Sequence, residues 1–206
     1  MPRLINYPSL FKLCRRFGII CAAMRVITGS AKGRKIKTAQ KGVRPMAARV
    51  KKSVFDRLGD IAGEKVLDVF AGSGALGLEA LSRGADSAVF VEKSSNVADI
   101  IAENIKQCGF ESQCELIRSD YRKAAERLLS VGKRFDLIFI APPYALFQKV
   151  SNRNLTDCFS PLLSENGRIV IEYETGAVAE SENGAENRLT KKYGGTTVSI
   201  LSPTSS

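Results

Sequence analysis

Three groups of residues in this 206-residue chain have types and spacings that can do chemistry. The first is Gly72-Ser73-Gly74-Ala75-Leu76-Gly77, which follows the apolar run Val66-Leu67-Asp68-Val69-Phe70 and fits the pattern G-x-G-x-x-G. Glycines here permit a tight strand-to-helix turn in which backbone N–H groups and a helix N-terminus face a bound cofactor at close range. The same pattern also serves as a plain turn. The second group is a pair of carboxylates. Glu92 ends the next apolar run, 20 residues beyond Gly72, where it can accept hydrogen bonds from both hydroxyls of a ribose or stand as an ordinary charged strand end. Asp68 lies in apolar company, and a buried carboxylate is costly unless it is paired or hydrogen-bonded. A cationic ligand group, such as the α-amino group of a methionine moiety, would satisfy it, and so would nearby backbone N–H groups. The third group is Ala141-Pro142-Pro143-Tyr144, which closes another apolar run. Its prolines stiffen the loop, their carbonyls remain free to accept, and Tyr144 offers a flat face for a base.

Other chemistry is excluded by composition. The chain has no histidine, so it cannot carry a Ser–His–Asp or Cys–His nucleophile pair, a histidine general base or an HExxH zinc site. Its five cysteines (Cys14, Cys21, Cys108, Cys114, Cys158) form no Cys-x-x-Cys, so no metal site and no disulfide framework are expected, and a reducing, cytoplasmic setting is. No apolar run approaches the ~20 residues of a membrane span.

These groups need elements to hold them. Short β-type runs at 25–28 and 34–37 flank Gly29 to Gly33 and suit a small hairpin, and Val50, Val54, Phe55 and Leu58 are spaced for a helix within 46–58. Strands are then expected at 66–70, 87–91, 114–118, 135–140 and 168–172. Helices are expected at 75–83 (ending on Gly84), 95–107, 121–130 and within 147–163. A hairpin turns at Gly194-Gly195, and the polar stretch 176–187 reads as a loop. Strands alternating with helices imply right-handed crossovers. The fold class is α/β: a doubly wound, Rossmann-like sheet, mostly parallel, with a C-terminal antiparallel hairpin and a small basic N-terminal hairpin and helix. Ligands of such sheets sit where strand order reverses, so the turns after the first and fourth strands should converge.

Charge divides the chain. Residues 1–60 hold 15 Lys/Arg against Asp56 and Asp60 alone, a balance of +13, while residues 61–206 hold 16 against 19, a balance of −3. An arm this basic suits a polyanion, nucleic acid before an anionic membrane surface. Residues 1–23 read as a poorly ordered extension, 24–60 as a basic RNA-contacting segment and 61–206 as the cofactor-binding domain.

The run Asp68-Val69-Phe70-Ala71-Gly72-Ser73-Gly74-Ala75-Leu76-Gly77-Leu78-Glu79-Ala80-Leu81-Ser82-Arg83-Gly84-Ala85, with Phe90-Val91-Glu92-Lys93 after it, resembles the cofactor region of the RsmD family. Arg25-Val26-Ile27-Thr28-Gly29, Gly33-Arg34-Lys35-Ile36-Lys37-Thr38, Arg44-Pro45 and Arg49-Val50-Lys51 extend the likeness, which runs from Met24 to about Leu201 and weakens after residue 145. The resemblance implies a bacterial S-adenosylmethionine-dependent methyltransferase acting on the exocyclic N2 amino group of a guanine in 16S rRNA, with the small ribosomal subunit or its RNA as partner, without metal or membrane, as a monomer. It implies that Asp68 and the Gly72–Gly74 turn hold the methionine part, Glu92 the ribose and Asp120 the adenine amino group. Asp120 reads equally as a helix N-cap. Ala71, Ser73, Lys93 and Tyr121 complete that candidate set, and Ala141, Pro142, Pro143 and Tyr144 form the catalytic loop. Arg25, Lys32, Arg34, Lys35, Lys37, Arg44 and Arg49 would clamp RNA phosphates around a flipped or single-stranded guanine.

The chain departs from the family where the acceptor sits. Asp-Pro-Pro-Tyr or Asp-Pro-Pro-Phe is usual, and here Ala141 stands first. The acid accepts a hydrogen bond from the target amino group, and alanine cannot, although the Pro142 carbonyl can. Met46, Ala47, Ala48 and Lys52 also replace two threonines and two acids of the family's pattern. Reduced activity is expected, or an RNA-binding relative impaired in catalysis. A nicotinamide-dependent oxidoreductase with the same glycine motif is the remaining alternative, and it gives no role to Pro142-Pro143-Tyr144 or to the basic arm.

Overall fold

The computed structural model describes residues 24–38, 48–143, 146, 150–175 and 185–203. The expected extension 1–23, Arg44 to Ala47 and Tyr144 lie outside them. In chain order the elements are α1 (Ala48–Leu58), β1 (Lys65–Val69), α2 (Ala75–Ser82), β2 (Ser87–Glu92), α3 (Ser95–Cys108), β3 (Cys114–Arg118), α4 (Tyr121–Ser130), β4 (Phe135–Ile140), α5 (Asn152–Phe159), β5 (Leu163–Glu174), β6 (Ala185–Tyr193) and β7 (Thr196–Pro203).

The strands form one seven-stranded sheet in the order β3-β2-β1-β4-β5-β7-β6. β1 pairs in parallel with β2 and β4, and β4 in parallel with β5, whereas β7 runs antiparallel between β5 and β6. The order reverses between β1 and β4, so their carboxyl ends open the cleft at which such sheets take ligands. The central strands are nearly continuous in apolar residues because both faces are covered. On one face α1, α2, α3 and the N-terminal segment bury Val54, Phe55, Leu78, Leu81, Ile101 and Ile105 against Val66, Phe90 and Phe139. On the other, α4 and α5 bury Tyr121, Leu128, Leu155 and Phe159 against Leu67, Val69, Ile138 and Ile171.

The expected N-terminal hairpin is present as the antiparallel bridge of Arg25 with Lys35 around the turn at Gly29 to Gly33, with Val26 N–H donating to the Arg34 carbonyl (3.1 Å) and Ile36 N–H to the Met24 carbonyl (2.8 Å). Two expectations needed correcting. β5 begins at Leu163 instead of Arg168. Its pairing with β4 is interrupted between Phe135 and Leu137, which accommodates the extra residues as an irregularity that local sequence does not announce. The polar stretch 176–187 is not all loop: β6 starts at Ala185 and is held by its ladder to β7, a tertiary pairing that overrides weak local propensity. Among the described residues, no helix is long and apolar enough to cross a membrane.

Residues 24–38 are bound tightly to the sheet domain. Gly29 lies against α2 so closely that a Cβ there would stand 1.5 Å from the Ser82 carbonyl oxygen, and its φ of +88° is a glycine conformation. Ser82 Oγ accepts from Ala31 N–H (2.9 Å) and donates to the Thr28 carbonyl (2.5 Å). Asn104 of α3 accepts from Lys37 N–H (2.8 Å) and donates both to the Lys37 carbonyl and to the Ser73 carbonyl (2.9 Å each).

Candidate active site

The turn after β1 is built by short backbone contacts. Ala71 N–H donates to the Val91 carbonyl (3.1 Å) and Gly74 N–H to the Ala71 carbonyl (2.7 Å). Gly77 lies in the first turn of α2, where a Cβ would come within 2.4 Å of the Phe90 ring, so only glycine lets the helix lie on β2 here. Phe70, the residue that leaves β1, has a φ of +60°, which is strained for a non-glycine residue. Its ring packs on Tyr121 at 5.1 Å between centroids.

The carboxylates converge on this turn. Asp68 is 1% exposed, and its Oδ2 accepts from Gly77 N–H at 2.9 Å. Burial pushes its carboxyl up to about 7, the Gly77 bond pulls the other way, and the negative charge of Glu92 adds to the rise. Glu92 Oε2 accepts from Gly72 N–H (3.2 Å) and Oε1 from Ser94 N–H (2.9 Å). Each oxygen retains a lone pair for a further donor. Asp120 caps α4, with Oδ1 accepting from Arg122 N–H (3.1 Å) and Oδ2 meeting Lys93 Nζ (3.3 Å). Partial burial opposes its ionisation, but the Arg122 N–H and the Lys93 ammonium outweigh it and hold the carboxyl below its usual value. The N-cap reading of Asp120 is therefore realised, with Lys93 beside it. Tyr121 is 6% exposed and its ring packs between Phe70 and Phe159, with the Arg122 guanidinium 4.9 Å from its centre.

The second turn meets the first across the sheet. Ala141 N–H approaches the Val69 carbonyl at 3.4 Å, which ties the end of β4 to the end of β1. Pro142 is buried and Pro143 exposed, with the Pro143 carbonyl accepting from Leu146 N–H at 2.8 Å. Of the candidate RNA-contacting residues, Arg25, Lys32, Arg34, Lys35, Lys37 and Arg49 are exposed, while Arg44 lies outside the described residues. Three of them are partly engaged within the fold: Arg25 donates to the Gly33 carbonyl, Arg34 to the Gln107 carbonyl, and Lys37 pairs with Glu103 at 2.7 Å.

Sequence reasoning missed one charged centre. Glu79 is fully buried on α2 and accepts from Ile27 N–H (2.8 Å) and Thr28 N–H (3.1 Å), while pairing with Lys51 (2.9 Å) and Arg83 (3.0 Å). Lys51, also buried, donates a further bond to the Arg25 carbonyl (3.0 Å). Burial lowers the Lys51 pKa despite Glu79. The only sequence signals were an acid in an otherwise apolar helix and Arg83 four residues on, because the other partners are far along the chain.

Comparison with known proteins agrees with this geometry. The profile of a family described as "Conserved hypothetical protein 95" matches residues 24–202. A Bacillus subtilis (strain 168) protein, provisionally named the rRNA methyltransferase YlbH, is 35% identical over 181 residues, 86% of this chain and 97% of its own. The ribosomal RNA small subunit methyltransferase D of Escherichia coli (strain K12) is 32% identical over 163 residues, 78% of this chain and 77% of its own. Among solved structures, an Escherichia coli protein provisionally titled the methyltransferase yhhF superposes with a TM-score of 0.75 at 26% identity, covering 90% of this chain and all of that one.

Proposed function

Because the chain belongs to the RsmD family, we propose that it transfers a methyl group from S-adenosylmethionine to the exocyclic N2 amino group of a guanine in 16S ribosomal RNA. The observation that carries this reading is the meeting of two turns at the carboxyl ends of β1 and β4. One is lined with carboxylates and backbone donors, the other with prolines, and a basic segment is bonded to the first.

The residues present fit the cofactor. Among the described residues Asp68 is a buried carboxyl with one backbone hydrogen bond, and burial together with the Glu92 charge raises its pKa, an environment that a cationic group suits. An α-ammonium group placed there restores its charge. Glu92 keeps lone pairs for ribose hydroxyls, and Asp120 with Lys93 borders the place of the adenine. When bound, S-adenosylmethionine supplies an activated methyl group whose leaving sulfur needs no protonation. The protein therefore has to bring nitrogen and methyl carbon into line and exclude water, which is catalysis by proximity and needs neither histidine nor metal. Pro142 and Pro143 hold the acceptor turn rigid, and the Pro142 carbonyl accepts one N–H of the target amine. Lys32, Arg34, Lys35 and Arg49 neutralise phosphates around the extruded guanine.

The test is methyl transfer to unmodified small subunits, with the product base identified by mass spectrometry, alongside titration with S-adenosylhomocysteine and NADH. Methylation of guanine N2 and binding of the homocysteine compound alone are expected. Binding of NADH alone overturns the reading in favour of a dehydrogenase.

A further inference from the structure

Ala141 leaves the cleft without the acid that the family pattern puts there, but another acid stands one strand away. Phe139 of β4 pairs with Val170 of β5, and Ile140 with Ile171. One further step in this parallel register brings Ala141 beside Glu172, with the two backbones about 5 Å apart. The face is determined from both strands. Phe139 and Val170 are buried on the α1–α3 side and Ile140 and Ile171 on the other, so strand alternation returns position 172 to the α1–α3 side. Val198, the antiparallel partner of Glu172, is buried on that side, and Ala141 packs against the same cluster. Asp68 has the same orientation, since its partners Phe90 and Phe139 are both buried there.

Glu172 has no hydrogen bond or ion pair among the described residues. The cation nearest it in register is Lys191, opposite Val198, whose ammonium lies 5.3 Å from the centre of the Tyr193 ring. Burial is the sole cause that pushes the Glu172 carboxyl up to about 7. A half-buried acid without a partner costs stability, and a strand position between apolar neighbours suits valine better. Fold stability gives no reason for it to be acidic.

We propose that Glu172 accepts the hydrogen bond of the target amino group, supplying from β5 the contact that position 141 cannot make; this rests on the methyl-transfer reading above. The nitrogen lone pair forms the N–C bond to the methyl carbon as the carbon–sulfur bond breaks and its electron pair passes to sulfur. The proton released from nitrogen goes to the Glu172 carboxylate and then to water.

The experiment compares Glu172→Val, Glu172→Gln, Ala141→Asp and the double variant Ala141→Asp/Glu172→Val in the full chain. Glu172→Val is expected to lower single-turnover transfer about 10²–10³-fold, the cost of losing one positioned polar group, and to leave S-adenosylhomocysteine affinity within about twofold. Glu172→Gln, which keeps an acceptor, falls between the two. Ala141→Asp alone changes the rate less than about tenfold, whereas in the Glu172→Val background it restores most of the loss. Two measurements need no turnover. Without ligand, Glu172→Val melts at or above the wild-type temperature, and the carboxyl that titrates near 7 and survives Asp68→Asn disappears from the NMR spectrum. Wild-type rates in Glu172→Val overturn the proposal and leave methyl transfer standing. So does a wild type that binds S-adenosylhomocysteine but transfers only after Ala141→Asp. A wild type that neither binds that compound nor transfers overturns the methyltransferase reading itself.

Discussion

Two buried regions on the same side of the sheet treat their acids in opposite ways. Beneath α2, Glu79 has two backbone donors, Lys51 and Arg83 around it, and joins residues 25–28 to the sheet domain. At the carboxyl ends of the strands, Asp68 has one backbone donor and Glu172 no partner among the described residues. Both regions lie on the same side of the sheet, and Glu79 and Asp68 are equally buried there, so burial alone does not explain the difference between those two. A fully partnered buried acid is part of the architecture, whereas one with fewer partners keeps lone pairs that a ligand donor can use. Fold stability should therefore depend on the first and ligand affinity on the second.

The largest effect expected is that of Glu79→Ala. It strands Lys51 and two N–H groups in the interior and should cost about 3–5 kcal/mol, read as a drop in the denaturant midpoint together with early proteolysis within residues 24–38. A stable Glu79→Ala variant that fails only in cofactor binding would remove the distinction.

Next is Asp68→Asn, expected to weaken S-adenosylhomocysteine binding about 10–100-fold by calorimetry, the value of a hydrogen bond to a charged group. Its effect on folding has the opposite sign. Because the Asp68 carboxyl titrates near 7 when folded and lower when unfolded, its contribution is complete below the unfolded value and is lost as pH rises towards 7. Asp68→Asn is therefore at least as stable as wild type at pH 8. Ligand binding runs the other way again. An ammonium partner favours the ionised carboxylate, so binding releases a proton and wild-type affinity should fall by up to about tenfold per pH unit below 7, a dependence that the asparagine removes.

The smallest effects belong to the exposed basic residues. Lys35→Ala or Arg49→Ala should weaken RNA binding a few-fold and reduce the slope of log affinity against log salt by about one, with folding unchanged. A loss confined to one RNA sequence would mean base readout in place of phosphate contact.

The fold was largely legible because its signals are local. Apolar runs bounded by glycine and proline mark β1, β2 and β4, helical spacing marks α1 and α3, and alternation of the two types implies the parallel sheet. The glycine turn, Asp68 and Glu92 were legible for the same reason, since they lie within one strand–turn–helix–strand unit. Glu79 was not, because apart from Arg83 one turn on, its partners are 28 to 52 residues away and no short pattern reports them. Glu172 read only as the last residue of a strand. Its place beside Ala141 depends on the register of two strands joined by a long crossover, and a shift of one residue would have put it on the opposite face. The early start of β5 and the strand in Ala185–Tyr193 were hidden because pairing with neighbours, not local preference, creates them.

Asn104 joins what the chain keeps apart. One amide group holds both the backbone of Lys37, in the basic segment, and the carbonyl of Ser73, in the glycine turn. Three partly buried hydrogen bonds make this a stiff strut, and Asn104→Ala leaves the two loops to settle independently. With the strut in place, the chain can answer one ligand with the other. If RNA draws on residues 36–38, the cofactor turn is ordered in the same act, and thermodynamic reciprocity requires the cofactor to favour RNA by the same factor. A single buried side chain thus makes the basic segment and the glycine turn one mechanical unit.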